Sequence, residues 1–246
     1  MRLKIITLSL LFFATISNSC AQIKISDALK KAADLSGNQG NPSQAEIGSA
    51  LKEALEIGIS AGTDRLSIQN GFLGNNAVRL LFPPEAQKAE KTLRSIGLNK
   101  LCDDFILSLN RAAESAVKEA KPVFISALKQ MSVQDAAGIL LSKETNSATN
   151  YFQRVTSEAL KAKFQPVIGD ALSRSEATRY WTEVTSAYNK IPMVSKIETD
   201  LTAYATQKAM DGLFHEIARE EQKIRTNPVS RSTALLKKVF GYADGK

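Results

Sequence analysis

The 246-residue sequence holds one histidine, one tryptophan and two cysteines, and each shortage removes a class of chemistry. With His215 alone, any Ser/His triad rests on one imidazole without a flanking nucleophile motif, and no G-x-S-x-G occurs. A zinc-protease helix needs a second histidine one turn after the first, so that both rings reach one metal; here that position is Arg219. Cys20, Cys102 and His215 make no metal-ligand spacing, and neither metal nor cofactor is expected. A Walker A loop and a dinucleotide fingerprint are both missing. Gly71 and Gly74 precede an extended segment and not a helix, so they offer no phosphate cradle. The adjacent acids Asp103-Asp104 and Glu220-Glu221 project in different directions from a helix and form no carboxylate dyad. No catalytic residue is assigned.

Long apolar runs are also missing. Ile5 to Ile16 falls short of the ~20 residues that span a bilayer. Preceded by Arg2 and Lys4, it has the form of an export signal. Ser17, Asn18 and Ser19 then lead to Cys20, which favours a bacterial lipoprotein signal over residues 1–19 with Cys20 as the acylated first residue. The position three before the cysteine, usually aliphatic, is Ser17. The alternative is cleavage after the small-x-small string Ser19-Cys20-Ala21, a signal over residues 1–21 that leaves a soluble chain starting at Gln22. Both readings export the protein. The expectation is an envelope protein, lipid-anchored through Cys20 or else free in the periplasm. A Cys20–Cys102 disulfide is the minor alternative, because Cys102 sits among helical apolar neighbours where a lone thiol acts as a small hydrophobe.

Charge is present but not concentrated. The net charge is +7 and the isoelectric point about 9.3, yet basic residues run along the whole chain beside acids, as in Lys52/Glu53/Glu56 and Arg219/Glu220/Glu221. A nucleic-acid footprint gathers its cations into one stripe, so no nucleic acid is expected as partner.

What the sequence does have is helical spacing. With 43% hydrophobic residues the chain can bury a substantial core. Residues 24–35 read as a short helix within a flexible N-terminal segment, 20–42. Ser43 and Glu46 form a capping box ahead of a stripe through Ile47, Leu51, Ala54 and Gly58. Turn formers mark 67–83, and Val78 to Phe82 runs extended into Pro83-Pro84, which predicts a small hairpin near residues 70–82 or an ordered loop. Pro84 begins a helix that stops at Gly97. The clearest stripe runs from Leu98 to Ala120. Pro122 opens the next helix, Ser132 and Asp135 cap a short one through Leu141, and Pro166 interrupts another. Trp181 belongs to a short helix over 177–188. Thr199 or Asp200 caps a long one ended by Asn227-Pro228, and a last helix stops at Gly241. The predicted fold is an all-α, single-domain bundle of eight to ten helices over 43–241, with a short tail at 242–246. Neither repeats nor sustained heptads appear.

Several strings then carry a resemblance: N-R-A-A-E at 110–114, D-A-A-G-I-L at 135–140, A-T-N-Y-F at 148–152, D-G-L-F at 211–214, E-E-Q-K-I-R at 220–225 and V-F-G at 239–241, with G-F-L-G-N at 71–75 and P-P-E at 83–85. In this order, from about Ile25 to Gly241, the chain resembles the bacterial family called domain of unknown function 4197. The resemblance implies one domain and export from the bacterial cell. It implies no reaction, substrate or catalytic residue.

Asn110, Arg111 and Glu114 form the candidate polar cluster, since their spacing sets them on one side of a helix. Such a cluster binds an anionic or amide-bearing group, or it bridges two packed helices with Arg111 and Glu114 holding their register; buried ionic clusters are more often structural. The run Arg219, Glu220, Glu221, Lys223, Arg225 and Arg231 reads as a solvated face or a docking patch. The leading functional expectation is a non-catalytic binding or assembly module that contacts another envelope protein or component. A carrier of a small or lipid-like ligand, held in space that Gly and Ala leave between helices, is second. A hydrolase of an envelope polymer working through Glu114 is third, and needs another carboxylate ~5–10 Å away beside an open groove. Oligomeric state is not legible from the sequence.

Overall fold

Ser43 starts the first described helix as its neighbours dictate. Its hydroxyl accepts the Glu46 N–H at 3.2 Å, and the Glu46 carboxylate accepts the Ser43 N–H at 2.8 Å. Two donors with no intrahelical partner are thereby satisfied. The computed structural model describes residues 40–133 and 136–246. The signal segment, Cys20 and the predicted helix over 24–35 lie outside the described residues, as does the Asp135 cap.

Among the described residues eight α-helices run in order: α1 (Gln44–Leu66), α2 (Gln87–Ser95), α3 (Asn99–Gln130), α4 (Ala136–Leu140), α5 (Ser147–Arg174), α6 (Ala177–Asn189), α7 (Leu201–Thr226) and α8 (Ala234–Asp244). Single 3-10 turns at Pro84–Ala86 and Pro228–Ser230 precede α2 and α8. No strand occurs among the described residues, so the fold is an all-α multi-helix bundle. The four long helices pack in a ring, α1 on α7, α7 on α5, α5 on α3 and α3 back on α1. Residues from Pro42 to Lys246 form one unit.

Aromatic rings fill this ring's interior. Phe124 of α3 lies 6.4 Å from both Phe152 and Phe164 of α5 and 5.5 Å from Phe214 of α7, with edge-on or tilted geometries that suit ring quadrupoles. A second stack, Phe82 on Phe105 on Trp181, ties the 67–83 segment and α6 to α3. Glycines set the closest helix approach. A Cβ on Gly58 of α1 would lie 3.1 Å from Ile217 Cγ2, and one on Gly62 would lie 3.0 Å from Glu216 Cβ, so α7 occupies the space these glycines leave.

Three helix boundaries differ from the sequence expectation, and the two readings of residues 67–83 are resolved. Pro122 lies inside the continuous α3 and Pro166 inside the continuous α5. Both prolines are exposed, and so are Lys118 and Ala162, whose carbonyls each proline leaves without a donor. At exposed residues the lost hydrogen bond costs less than in a buried turn, and both helices run on through their prolines. The last helix runs past Gly241 to Asp244, because Arg231 grips Asp244 with two hydrogen bonds of 2.6 and 3.0 Å. Finally, residues 67–83 are an ordered loop and not a hairpin. Successive tight turns close it: the Gly71 N–H donates to Ile68, Gly74 to Asn70, Asn75 to Phe72 and Arg79 to Asn75. Asn70 takes a left-handed conformation, φ 65°, that asparagine tolerates.

No described helix is long and apolar enough to cross a membrane.

Candidate functional site

A loop of seventeen residues without secondary structure exposes many backbone donors, and these must find partners. α3 and α7 supply them. Asn110, fully buried, accepts the Leu80 N–H at 2.9 Å and donates to the Leu80 carbonyl at 2.8 Å; its second amide hydrogen goes to Ile106 in its own helix at 2.7 Å. One turn on, the buried Glu114 accepts the Phe72 N–H at 3.2 Å and the Leu73 N–H at 3.4 Å. Arg111 neutralises Glu114 at 2.5 Å and reaches out to the Asn70 side chain at 2.9 Å.

The expected cluster Asn110, Arg111, Glu114 is therefore assembled, but its role as an inter-helix bridge is corrected. It clamps one helix to a loop. The register it holds is that of residues 70–80 against α3.

From the other side Glu216 of α7, 1% exposed, pairs with Arg65 at 2.6 Å and Arg219 at 3.2 Å and accepts the Asn75 side-chain amide at 3.4 Å. Gly212, one turn before Glu216, makes room for the Phe72 ring; a Cβ there would sit 2.7 Å from Phe72 Cε1. The Tyr204 hydroxyl donates to the Leu81 carbonyl at 2.9 Å. Burial, helped by the charge of Glu85, pushes the Tyr204 phenol up to about 12, so it remains a donor across the physiological range.

Between the clamped loop and α7 lies an open groove of about 420 Å³. Val78, Leu81, Phe82 and Pro84 give it an apolar wall, with Arg79 exposed at the rim. α7 presents Tyr204, Lys208, Asp211 and His215 at one-turn spacing along the other wall. His215, the lone imidazole, is thus an exposed groove residue. Glu114 does not line it.

The charge run of α7 divides in two. Arg219 and Lys223 are exposed, in keeping with a solvated face, but Glu221 and Arg231 are buried and Arg225 nearly so, which corrects that expectation for these three. The Glu221 carboxylate caps the start of α5, accepting the Ala148 and Thr149 N–H groups at 2.9 and 2.7 Å and the Thr149 hydroxyl at 2.7 Å. Arg225 pairs with Glu221 and caps the end of α4 through the Leu140 and Ile139 carbonyls at 2.9 and 3.1 Å. Arg231 covers the end of α7 through the Ile224 and Arg225 carbonyls. Burial raises the Glu220 carboxyl, but Lys223 and Arg65 outweigh it and hold the group below the usual carboxylate range.

A family model described as protein of unknown function, DUF4197, matches residues 41–241. The chain belongs to that family. No curated protein and no solved structure matches it.

The strings by which the chain resembles DUF4197 have physical roles here. N-R-A-A-E holds G-F-L-G-N, D-G-L-F places Gly212 under Phe72, and E-E-Q-K-I-R joins three helix ends. In this DUF4197 chain sequence reasoning missed Glu216 and set Glu221 on a solvated face. A signal existed: Glu221 sits in step with Leu213, Ile217 and Ile224, on the apolar face of α7. The Cys102 thiol is free and buried, and burial pushes its pKa up.

Proposed function

We propose that this protein is a non-catalytic binding module of the bacterial cell envelope, and that it receives another envelope component in the groove between residues 77–84 and α7. One observation carries the reading. Asn110, Glu114 and Glu216, all buried, fix the loop wall in advance while Arg79 and Leu81 remain exposed on it. A preset wall binds without the entropic cost of ordering a loop at that moment.

The other readings lose their motivation. Glu114 is bonded to two loop amides and Arg111, away from the groove, which leaves the hydrolase without its acid. The space that Gly58, Gly62 and Gly212 leave is taken by Ile217, Leu213 with Glu216, and Phe72, which removes the ground for a carrier between helices. Several basic residues outside the groove are paired with acids, as in Arg174–Glu119, Arg179–Glu183 and Lys238–Glu46, which supports a partner other than nucleic acid.

In this reading Cys20 is acylated and residues 20–42 tether the domain to the membrane; the soluble periplasmic form is the alternative. The test is photo-crosslinking in the host, with p-benzoylphenylalanine placed at Lys208 in the groove or at Lys163, exposed on α5. A discrete adduct from position 208 only is expected. Identical adducts from both positions would contradict the groove as the contact site.

A further inference from the structure

Several helix ends meet where the chain enters the domain at Ser43. Lys238 of α8 pairs with Glu46, in the first turn of α1, at 2.6 Å. Arg225, in the last turn of α7, holds the Leu140 carbonyl that ends α4 and the Ser147 hydroxyl that starts α5. Tyr151, under the Arg154 guanidinium at 5.3 Å, donates to the Ser132 carbonyl just past α3 at 2.8 Å. The groove lies toward the other end of α7. Its residues Tyr204 to His215 stand roughly 15–35 Å from Thr226 along the helix, at ~1.5 Å per residue.

Unpaired cations gather where the helix ends meet. Lys129, Lys143, Arg154 and Lys237 are exposed and enter no ion pair among the described residues, and Glu144 in the loop after α4 is the one exposed acid among them in the same condition. Two apolar side chains stand out beside them: Val229 is 91% exposed and Leu141 46%. A closed turn presents Val229. Its N–H donates to the Asn227 side chain at 3.1 Å, the Ser230 N–H to the Asn227 carbonyl and the Arg231 N–H to the Pro228 carbonyl. The buried Arg231 fastens that turn to α7 through the Ile224 and Arg225 carbonyls. Val229 cannot turn inward without breaking these bonds.

Apolar tips among unpaired cations suit a lipid interface, where the apolar groups enter the acyl boundary and the cations meet phosphate headgroups. The chain also supplies a reason for a bilayer to be near, since residues 20–42 join this end of the domain to Cys20. We infer that this end of the bundle rests on an anionic phospholipid surface, with Val229 and Leu141 at headgroup level and the groove turned away from the membrane. The inference rests on the reading that acylated Cys20 tethers the chain, and adds the orientation in which the groove is offered.

The test uses the full chain as its host matures it, reconstituted in vesicles of phosphatidylglycerol and brominated phosphatidylcholine. A bimane label is placed at Val229→Cys or at Ile96→Cys, which is exposed just before α3 and so at the far end of that helix. Cys102 is buried and stays unlabelled. Bromine is expected to quench the label at 229 at least fivefold more than the label at 96. Lys143→Glu with Arg154→Glu, or 0.5 M salt, is expected to remove most of that difference. Lys88→Glu with Lys91→Glu, exposed on the other side of the bundle near α2, is expected to leave it unchanged; circular dichroism checks that both variants fold. Equal quenching at 229 and 96 would overturn the orientation, and undiminished quenching in neutral vesicles would overturn the role of the cations. A discrete protein adduct from p-benzoylphenylalanine at position 229 in the host would show that a polypeptide covers this end instead. An acylated chain without quenching at 229 ends the inference and leaves the tether standing, whereas a chain that begins at Gln22 ends both.

Discussion

The side-chain amide of Asn110 holds the backbone of Leu80 by both of its groups, accepting the N–H at 2.9 Å and donating to the C=O at 2.8 Å. A helix side chain thereby does for a loop what a neighbouring strand does in a sheet. Replacing Asn110 by leucine keeps the volume and leaves both Leu80 groups buried without partners. A loss of about 2 kcal/mol is expected, the desolvation cost of such groups. Urea unfolding at unchanged slope measures it, and hydrogen exchange at Leu80 is expected to accelerate. A variant of wild-type stability with Leu80 still protected would show that the bond does not hold the loop.

Glu114 carries both a charge and the Phe72 and Leu73 amides. Glu114→Ala leaves Arg111 without its carboxylate and two amides without an acceptor, for a loss of about 3 kcal/mol. Glu114→Gln keeps an acceptor and is expected to lose less. Equal losses from the two variants in parallel unfolding curves would argue that the amides gain nothing from this side chain.

Gly212 and Gly138 make a matched pair. A Cβ at Gly212 meets the fully buried Phe72 ring at 2.7 Å, whereas one at Gly138 in α4 meets nothing within 4 Å. Gly212→Ala is expected to destabilise by about 1–3 kcal/mol through overpacking. Gly138→Ala is expected to stabilise by up to about 1 kcal/mol, since alanine suits a helix better than glycine. Thermal melts of the two variants should therefore move in opposite directions.

Glu46 gives the pH dependence. The Lys238 ammonium and the Ser43 N–H lower its carboxyl from 4.5 to about 2. A carboxyl lowered on folding stabilises the fold above its unfolded value and loses that contribution as the pH falls through the folded one. Wild type is expected to melt above Glu46→Gln at pH 7, with the gap closing as the pH falls from 4.5 toward 2. A gap constant over that range would exclude the carboxylate as its source. The pair is only half-buried, so added salt should narrow the gap at pH 7.

The helices were legible because each long one shows a three-and-four stripe that must be buried, and local chemistry marked their starts at Ser43 and Asp200. The two prolines misled because a missing donor matters only where its carbonyl is shielded from water, and exposure at Lys118 and Ala162 is a tertiary fact. Asn110, Arg111 and Glu114 were legible as a group from helical spacing. Their target was not, since nothing local says that a helix residue will bond the backbone of Leu80, thirty positions earlier. Glu221 and Arg225 were hidden for a similar reason: among charged neighbours they look solvated, and only the approach of α4 and α5 ends to α7 buries them. The groove was illegible because its walls, Val78 to Pro84 and Tyr204 to His215, lie far apart in the chain.

The most direct test of the binding-module account is a native mass spectrum of the protein taken gently from its host's membranes, beside the Arg79→Glu, Lys208→Glu variant. The expected result is a chain that begins at acylated Cys20 and carries a second polypeptide, with that polypeptide absent from the variant. A chain that begins at Gln22 with a small non-covalent ligand, or a polypeptide retained by the variant, would contradict it.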